Sequence, residues 1–192
     1  MKKIIEKLKK IIFKKQMNKP KPWEELSREV VFEQFNRKVE EVVFLTPANK
    51  KEKYWIRDEK NVATVLALTP EKKVILCQQF RVGPKKVLSE LPGGLINDGE
   101  DPKKAAEREL LEETGYKGKM ELVTAYFDDG YSTRVSYAFV ATNCKKVASQ
   151  KLDPTEFINV QLFSLEKFRK LLRSGQMTDV EVGYFGLDYL GL

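Results

Sequence analysis

The chain has 192 residues, 42% of them apolar and 33% charged, enough for one domain with a sizeable core or one domain with an appendage. Its formal charge is +7. It contains no histidine, which excludes imidazole bases and imidazole metal ligands outright.

The charge is unevenly placed. Residues 1–20 hold eight lysines and one glutamate, so of 35 basic and 28 acidic residues, 27 of each remain in the body. The body is therefore neutral and gives no compositional reason to expect a nucleic-acid partner. In the tail, Ile4, Ile5, Leu8, Ile11 and Ile12 recur at helical spacing with lysines opposite. This predicts an amphipathic helix over residues 1–16. Such a helix either packs on folded protein or makes peripheral contact with an anionic membrane surface; both readings stay open. Asn18-Lys-Pro-Lys-Pro22 breaks it as a linker. The division expected is a helix and linker over 1–21 and a main domain over 22–192.

REVVFEQFN and RKVEEVVFL alternate apolar and polar residues and predict two antiparallel strands, followed by a turn at PANKK and a short strand at KYWIRD. NVATVLAL and KKVILCQQF are apolar runs rich in β-branched residues, and with TPEK between them they predict a buried hairpin. Asp101 as N-cap, Pro102 at the first helical position and Gly115 just past the end delimit a helix over 102–114. Ala106 and Leu110 would face the core. ELVTAYFDD, RVSYAFVAT and FINVQLF predict strands, and SLEKFRKLLRSG and DVEVGYFGLDYL predict helices. Mixed strands with helices on both sides give an α/β or α+β sandwich. Cys77 and Cys144 sit in apolar runs without metal or redox spacing and read as buried small hydrophobes of a reducing compartment. No secretory leader pattern and no uncharged apolar stretch of membrane-spanning length is present, so the expected location is the cytoplasm.

The most informative segment is Gly94-LINDG-Glu100-DPKKAAE-Arg108-Glu109-Leu110-Leu111-Glu112-Glu113-Thr114-Gly115-Tyr116. On a helix, Glu109 neighbours both Glu112 and Glu113, and like charges at those spacings repel by a few tenths of a kcal/mol per pair. A bound divalent cation is the simplest offset, and carboxylate oxygens favour hard ions such as Mg²⁺, Mn²⁺ or Ca²⁺. Arg108 is placed to pair with and orient a carboxylate. Glu100 sits in a glycine-rich loop able to return over the same face.

This spacing of glycine, glutamate and Arg-Glu-Leu-x-Glu-Glu-x-Gly resembles the Nudix hydrolase box, covering 23 residues and departing only in ending on Tyr116, where aliphatic residues are commoner. VATVLALTPEKKVILCQQFRVG and LSELPGG before it, and TEFINVQLFSLEKF and GQMTDVEVGYFGLDYL after it, are similar to the ADP-ribose and nucleotide-sugar pyrophosphatase branch. The resemblance implies a Nudix-type α/β/α sandwich with a mixed sheet, and an N-terminal antiparallel strand region over 22–57 that forms a homodimer. It implies a Mg²⁺-dependent enzyme, with Mn²⁺ as alternative, acting on a small nucleoside diphosphate substrate. The metal ligands implied are Glu109, Glu112 and Glu113, with Glu100 as a further ligand or supporting partner and the Gly93 carbonyl added by family correspondence alone. Glu156, in Asp153-Pro-Thr-Glu156, matches the general base of the branch. Arg81 matches a phosphate-contacting arginine, while Glu90 and, more weakly, Arg57 match substrate-side positions. Trp23, Phe35, Trp55, Phe127 and Tyr131 are candidates to stack on a base, though core packing is the expectation for any single one.

One segment departs from the branch. Where the ADP-ribose pyrophosphatases usually carry Ser-Pro-Gly-Phe-Ser-Asp-Glu, this chain reads Asp128-Asp-Gly-Tyr-Ser-Thr-Arg134, so the sugar is not fixed: ADP-ribose comes first, GDP-mannose or another nucleotide sugar second. Two rival functions stand beside this one. They are a nucleoside triphosphate or RNA 5′-end pyrophosphohydrolase, and a non-catalytic nucleotide-binding sensor.

Overall fold

The computed structural model describes residues 20–35 and 37–192; the amphipathic segment 1–16 lies outside them. The chain divides into two compact units, one ending at Arg57 and the other running from Asp58 to Leu192.

The first unit is a three-stranded sheet in the order β1 (Glu24–Gln34), β2 (Arg37–Leu45), β3 (Lys51–Asp58). β1 and β2 pair antiparallel, as their alternation predicts. Asn49 takes φ +57° in the turn before β3, a conformation asparagine adopts more readily than most residues. Trp23, Phe44 and Tyr54 form a ring cluster with centroids 5.8–6.4 Å apart. Every residue of β1 is exposed, including Leu26, Val30, Val31 and Phe32.

The second unit carries β4 (Val62–Leu68), β5 (Val74–Arg81), β6 (Lys86–Glu90), β7 (Gly93–Leu95), α1 (Pro102–Thr114), β8 (Tyr116–Phe127), β9 (Val135–Lys146), β10 (Asn159–Phe163), α2 (Leu165–Leu172) and α3 (Val180–Tyr189). Its seven-stranded sheet runs β10-β5-β4-β9-β8, with β6 added to β5 and β7 to β4. β4 and β9 are parallel; the other pairs recorded are antiparallel. β4 is buried on both faces, which its near-continuous apolar run requires. Ala63, Val65 and Ala67 pack on one side with Ala105, Ala106 and Leu110 of α1. Leu66 and Leu68 pack on the other with Phe168 and Leu172 of α2 and Val182 and Leu187 of α3. The result is the α/β/α sandwich with a mixed sheet that the sequence led one to expect.

The expected β4–β5 hairpin is only partly formed. The two strands pair at Ala67↔Ile75 and Leu68↔Val74 and then part. Beyond that point β4 pairs with β7, from Val62↔Leu95 to Thr64↔Gly93, and β5 pairs with β6, from Cys77↔Glu90 to Arg81↔Lys86. An arch through Leu91 and Pro92 thus fills the split and is stitched to β4 by the Val65 N–H on the Pro92 carbonyl at 2.9 Å. This arch forms the floor beneath α1. The core-packing expectation for the five aromatics fails: Trp23, Phe35, Trp55, Phe127 and Tyr131 are all exposed, Phe35 almost completely at 94%. Trp23, Phe35 and Trp55 belong to the small N-terminal unit, Phe127 ends β8 and Tyr131 lies in the loop after it.

Candidate active site

α1 presents the acidic face, and its ends are fixed as the sequence predicts. The Asp101 carboxylate accepts from the Lys103 and Lys104 N–H groups at 3.0 and 3.2 Å. Gly115 closes the helix at φ +78°, and a side chain there would strike the Ala148 carbonyl. Ala106 and Leu110 are buried beneath it.

Arg108 organises the near side. Its guanidinium donates to both oxygens of Glu100 at 2.9 and 3.0 Å, to Glu109 at 2.6 Å, to Glu112 at 3.3 Å and to the Leu95 carbonyl at 3.1 Å. One cation therefore holds three carboxylates and pins the 95–100 loop to the helix. With the Asn97 N–H also donating at 2.9 Å, the Glu100 carboxyl is held well below the usual carboxylate range, at about 2.

Glu113 faces the other way. It is 5% exposed, and one of its oxygens accepts from the Gly93 N–H at 2.9 Å and meets the Cys77 thiol at 3.7 Å. Burial, reinforced by Glu109, Glu156 and Glu90, pushes its carboxyl up to about 8. Burial also raises Glu109, with Glu112 and Glu156 adding to the rise. The arch is close-fitting here. A Cβ on Gly93 would come within 2.5 Å of the Ala63 carbonyl, and one on Gly94 within 2.5 Å of the Glu109 carboxylate.

Across the helix lies the loop between β9 and β10. Arg108, Glu109, Glu112, Glu113, Lys151, Leu152, Asp153 and Glu156 line a common cavity of about 170 Å³. Glu156 is held within its own loop: its carboxylate accepts from the Asp153 N–H at 3.0 Å and its N–H donates to the Asp153 carbonyl at 2.9 Å. The loop is tied to the helix end by the Lys151 N–H on the Glu112 carbonyl at 2.8 Å and the Gln150 amide on the Glu113 carbonyl at 2.6 Å.

Among the described residues, no group of three or more Asp, Glu, Cys or His side chains is already gathered as ligands around one point. The reason is visible in the contacts above: Arg108 occupies oxygens of Glu100, Glu109 and Glu112, and Glu113 turns toward Gly93. The donor set nevertheless fits a hard divalent cation. Five carboxylates and only two cationic side chains share the cavity, and two of those carboxylates are raised by burial and mutual repulsion.

Arg81 and Glu90 lie on β5 and β6 and form a forked ion pair, with Arg81 Nε 2.5 Å from Glu90 Oε1 and Nη2 on Oε2. Gln79 donates to the same carboxylate at 3.0 Å. Glu90 is buried at 3% exposure, whereas the Arg81 side chain is 48% exposed. Arg57 is exposed on β3, the last residue of the first unit.

Arg134, the residue that departs from the branch pattern, is a clamp on its own loop. Its Nε donates to the Lys60 carbonyl at 3.0 Å, and its guanidinium lies 3.6 Å from Glu59 and 3.8 Å from Asp128. Ser132 donates to Glu59 at 2.9 Å in the same network.

Several neighbours carried no signal in the sequence. Cys77 is buried, as expected, but against Glu113. Gln150 and Lys151 read as loop residues. Asp179, the first residue of the segment expected as the last helix, precedes α3 at φ +54° and makes no side-chain cap bond. Instead it is half-buried near Glu90, accepting from the Thr178 hydroxyl at 2.8 Å, and desolvation pushes its carboxyl up to about 6.

This α/β/α sandwich with an acidic helix under a glutamate-bearing loop defines a hydrolase class, and the comparisons agree. The NUDIX domain matches residues 58–180, and the chain belongs to the Nudix family. It is an enzyme of the class that hydrolyses phosphorus-containing anhydrides, whose members use divalent metal ions. It is similar to the ADP-ribose pyrophosphatase of Bacillus subtilis, 34% identical over 149 residues, 76% of this chain and 80% of that protein. It is also similar to the methanol dehydrogenase activator of Bacillus methanolicus, 30% identical over 149 residues with the same shares covered. A crystal structure of an ADP compounds hydrolase has the same fold, with a TM-score of 0.75 over 91% of this chain and 98% of that one at 18% identity.

Proposed function

We propose that this chain hydrolyses the diphosphate linkage of a nucleoside diphosphate sugar, releasing a nucleoside monophosphate and a sugar phosphate, with ADP-ribose as first candidate and GDP-mannose next. The observation that carries the reading is the shared cavity, which Glu109, Glu112 and Glu113 of α1 line together with Glu156 of the opposite loop. The ADP-ribose pyrophosphatase activity named for the Bacillus subtilis relative supports the substrate.

Glu109, Glu112 and Glu113 would hold Mg²⁺, or Mn²⁺, with Glu100 acting through Arg108 and the Gly93 carbonyl as an added ligand. The ion, when bound, neutralises the diphosphate and orients a water molecule. Carboxylates engaged on a metal would be poor bases, so Glu156 would take a proton from a water molecule, whose oxygen forms the new bond to one phosphorus as the bridging oxygen leaves with the other phosphoryl group. Arg108 keeps the carboxylates oriented between turnovers. Glu90 holds the Nε and Nη2 edge of Arg81, whose remaining Nη hydrogens would donate to a diphosphate. Arg57 is proposed as a weaker substrate contact through its match to the branch alone.

Product analysis with ADP-ribose, GDP-mannose, UDP-glucose, GTP and 5′-triphosphate RNA tests the assignment. Nucleoside monophosphate from one of the sugars under Mg²⁺ is expected. Turnover of GTP or RNA alone would favour the rival pyrophosphohydrolase, and binding without turnover the sensor.

The assembly proposed is a cytoplasmic homodimer built through residues 22–57, supported by the exposed apolar side chains of β1. Residues 1–16 are proposed to touch anionic membrane peripherally. Co-sedimentation with anionic vesicles, lost in salt and on deleting residues 1–17, is the expected result; a fall in melting temperature with no vesicle binding would instead make the segment part of the fold.

A further inference from the structure

The C-terminal end of α1 has carbonyl groups that no N–H within the helix can satisfy. The first of them, Leu111, accepts from the Gly115 N–H at 2.8 Å. The next two, Glu112 and Glu113, belong to the residues whose carboxylates line the cavity, and both accept from the loop that carries Glu156. Glu112 takes the Lys151 N–H at 2.8 Å. Glu113 takes the Gln150 amide nitrogen at 2.6 Å, and the same nitrogen reaches the Ile158 carbonyl at 3.2 Å. The two hydrogens of one side-chain amide therefore join the helix end to both ends of the 151–157 loop.

We propose that Gln150 is a positioning residue for catalysis, the brace that sets Glu156 over the acidic face of α1. The idea rests on the assignment of Glu156 as base. Glu156 has no bond of its own to the helix in this structure; its recorded bonds are to Asp153. Its place over Glu109 and Glu113 is therefore inherited from the anchorage of the loop. A carboxylate at position 150 would meet two carbonyl oxygens, one of them, Glu113, at the negative end of the helix.

The test uses the full chain with Gln150→Leu, which removes the donor. Hydrogen exchange at the Lys151 and Glu156 amides should quicken about tenfold while the first turns of α1 keep their protection. kcat should fall about tenfold to a hundredfold, since misplacing a reacting group by about 1 Å costs that much. KM and the Mg²⁺ concentration for half-maximal activity should stay within about twofold, because the proposed ligands sit on α1 and not on the loop. In a Glu156→Gln background the same substitution should cost nothing further in kcat. Gln150→Glu, a second variant in case the first fails to fold, should loosen the same amides more. Unchanged exchange at Lys151 and Glu156, or KM and Mg²⁺ dependence moving in step with kcat, overturns the brace. If Glu156→Gln by itself leaves kcat intact, the base assignment fails, whereas the exchange measurement still decides whether Gln150 holds the loop.

Discussion

Glu113 shows how a side chain that is costly to the fold becomes useful to the site. Its carboxyl, at about 8, lies well above its ordinary value of 4.5 because it is buried. The folded protein therefore binds more protons than the unfolded chain between those two values. By linkage, the stability of the metal-free protein falls as pH rises through that window and levels off above it. Glu113→Gln should remove most of the slope. Thermal melts of the metal-free variant should match wild type near pH 5 and exceed it at pH 8, with Glu109 and Asp179 leaving a shallower residual slope. Identical slopes in the two proteins would contradict this account of Glu113. Adding Mg²⁺ at pH 7 should release protons, detectable by calorimetry in buffers of different ionisation enthalpy. Glu112 is different, with 36% of its side chain exposed. Glu112→Gln should fold normally and lose on the order of a hundredfold or more in kcat; near-normal turnover at saturating Mg²⁺ would remove it from the ligand set.

At the scale of elements, α1 was legible because local rules specify it. Asp101, Pro102, Gly115 and the Ala106/Leu110 stripe all act within a few residues, and the spacing of Glu100, Arg108 and the three glutamates follows from the helix itself. Asp101→Ala should cost about 1 kcal/mol, a fall in melting temperature of about 2–4 °C for a protein of this size. Gly115→Ala should cost more, because both its left-handed backbone and the Ala148 carbonyl oppose a side chain; calorimetry of the two variants gives the order. β6 and β7 were not legible. Each is short, they flank Leu91-Pro92, and they exist only because β4 and β5 part and leave edges to fill. The brace at Gln150 was equally hidden, since its partners are backbone carbonyls that any sequence would offer. The core-packing expectation for the aromatics failed for a related reason: an apolar residue's type does not reveal whether its position in a strand or loop is covered by another layer.

At the scale of the whole molecule, charge and apolar surface separate by segment. The basic excess lies in the first twenty residues and the body is neutral, which is why the catalytic reading rests on local carboxylates and not on a global field. β1 leaves Val30, Val31 and Phe32 about half exposed. Sedimentation at micromolar concentration should show a dimer, and Phe32→Asp should shift it to monomer; a monomeric wild type would reject the proposed assembly. The central claim is attack of water on phosphorus, and hydrolysis of ADP-ribose in ¹⁸O-labelled water with Mg²⁺ tests it most directly. The account predicts AMP and ribose 5-phosphate, with a single ¹⁸O on a phosphoryl group of one of them. Label in a sugar hydroxyl, release of inorganic phosphate as the first product, or no turnover of any nucleotide sugar would contradict it.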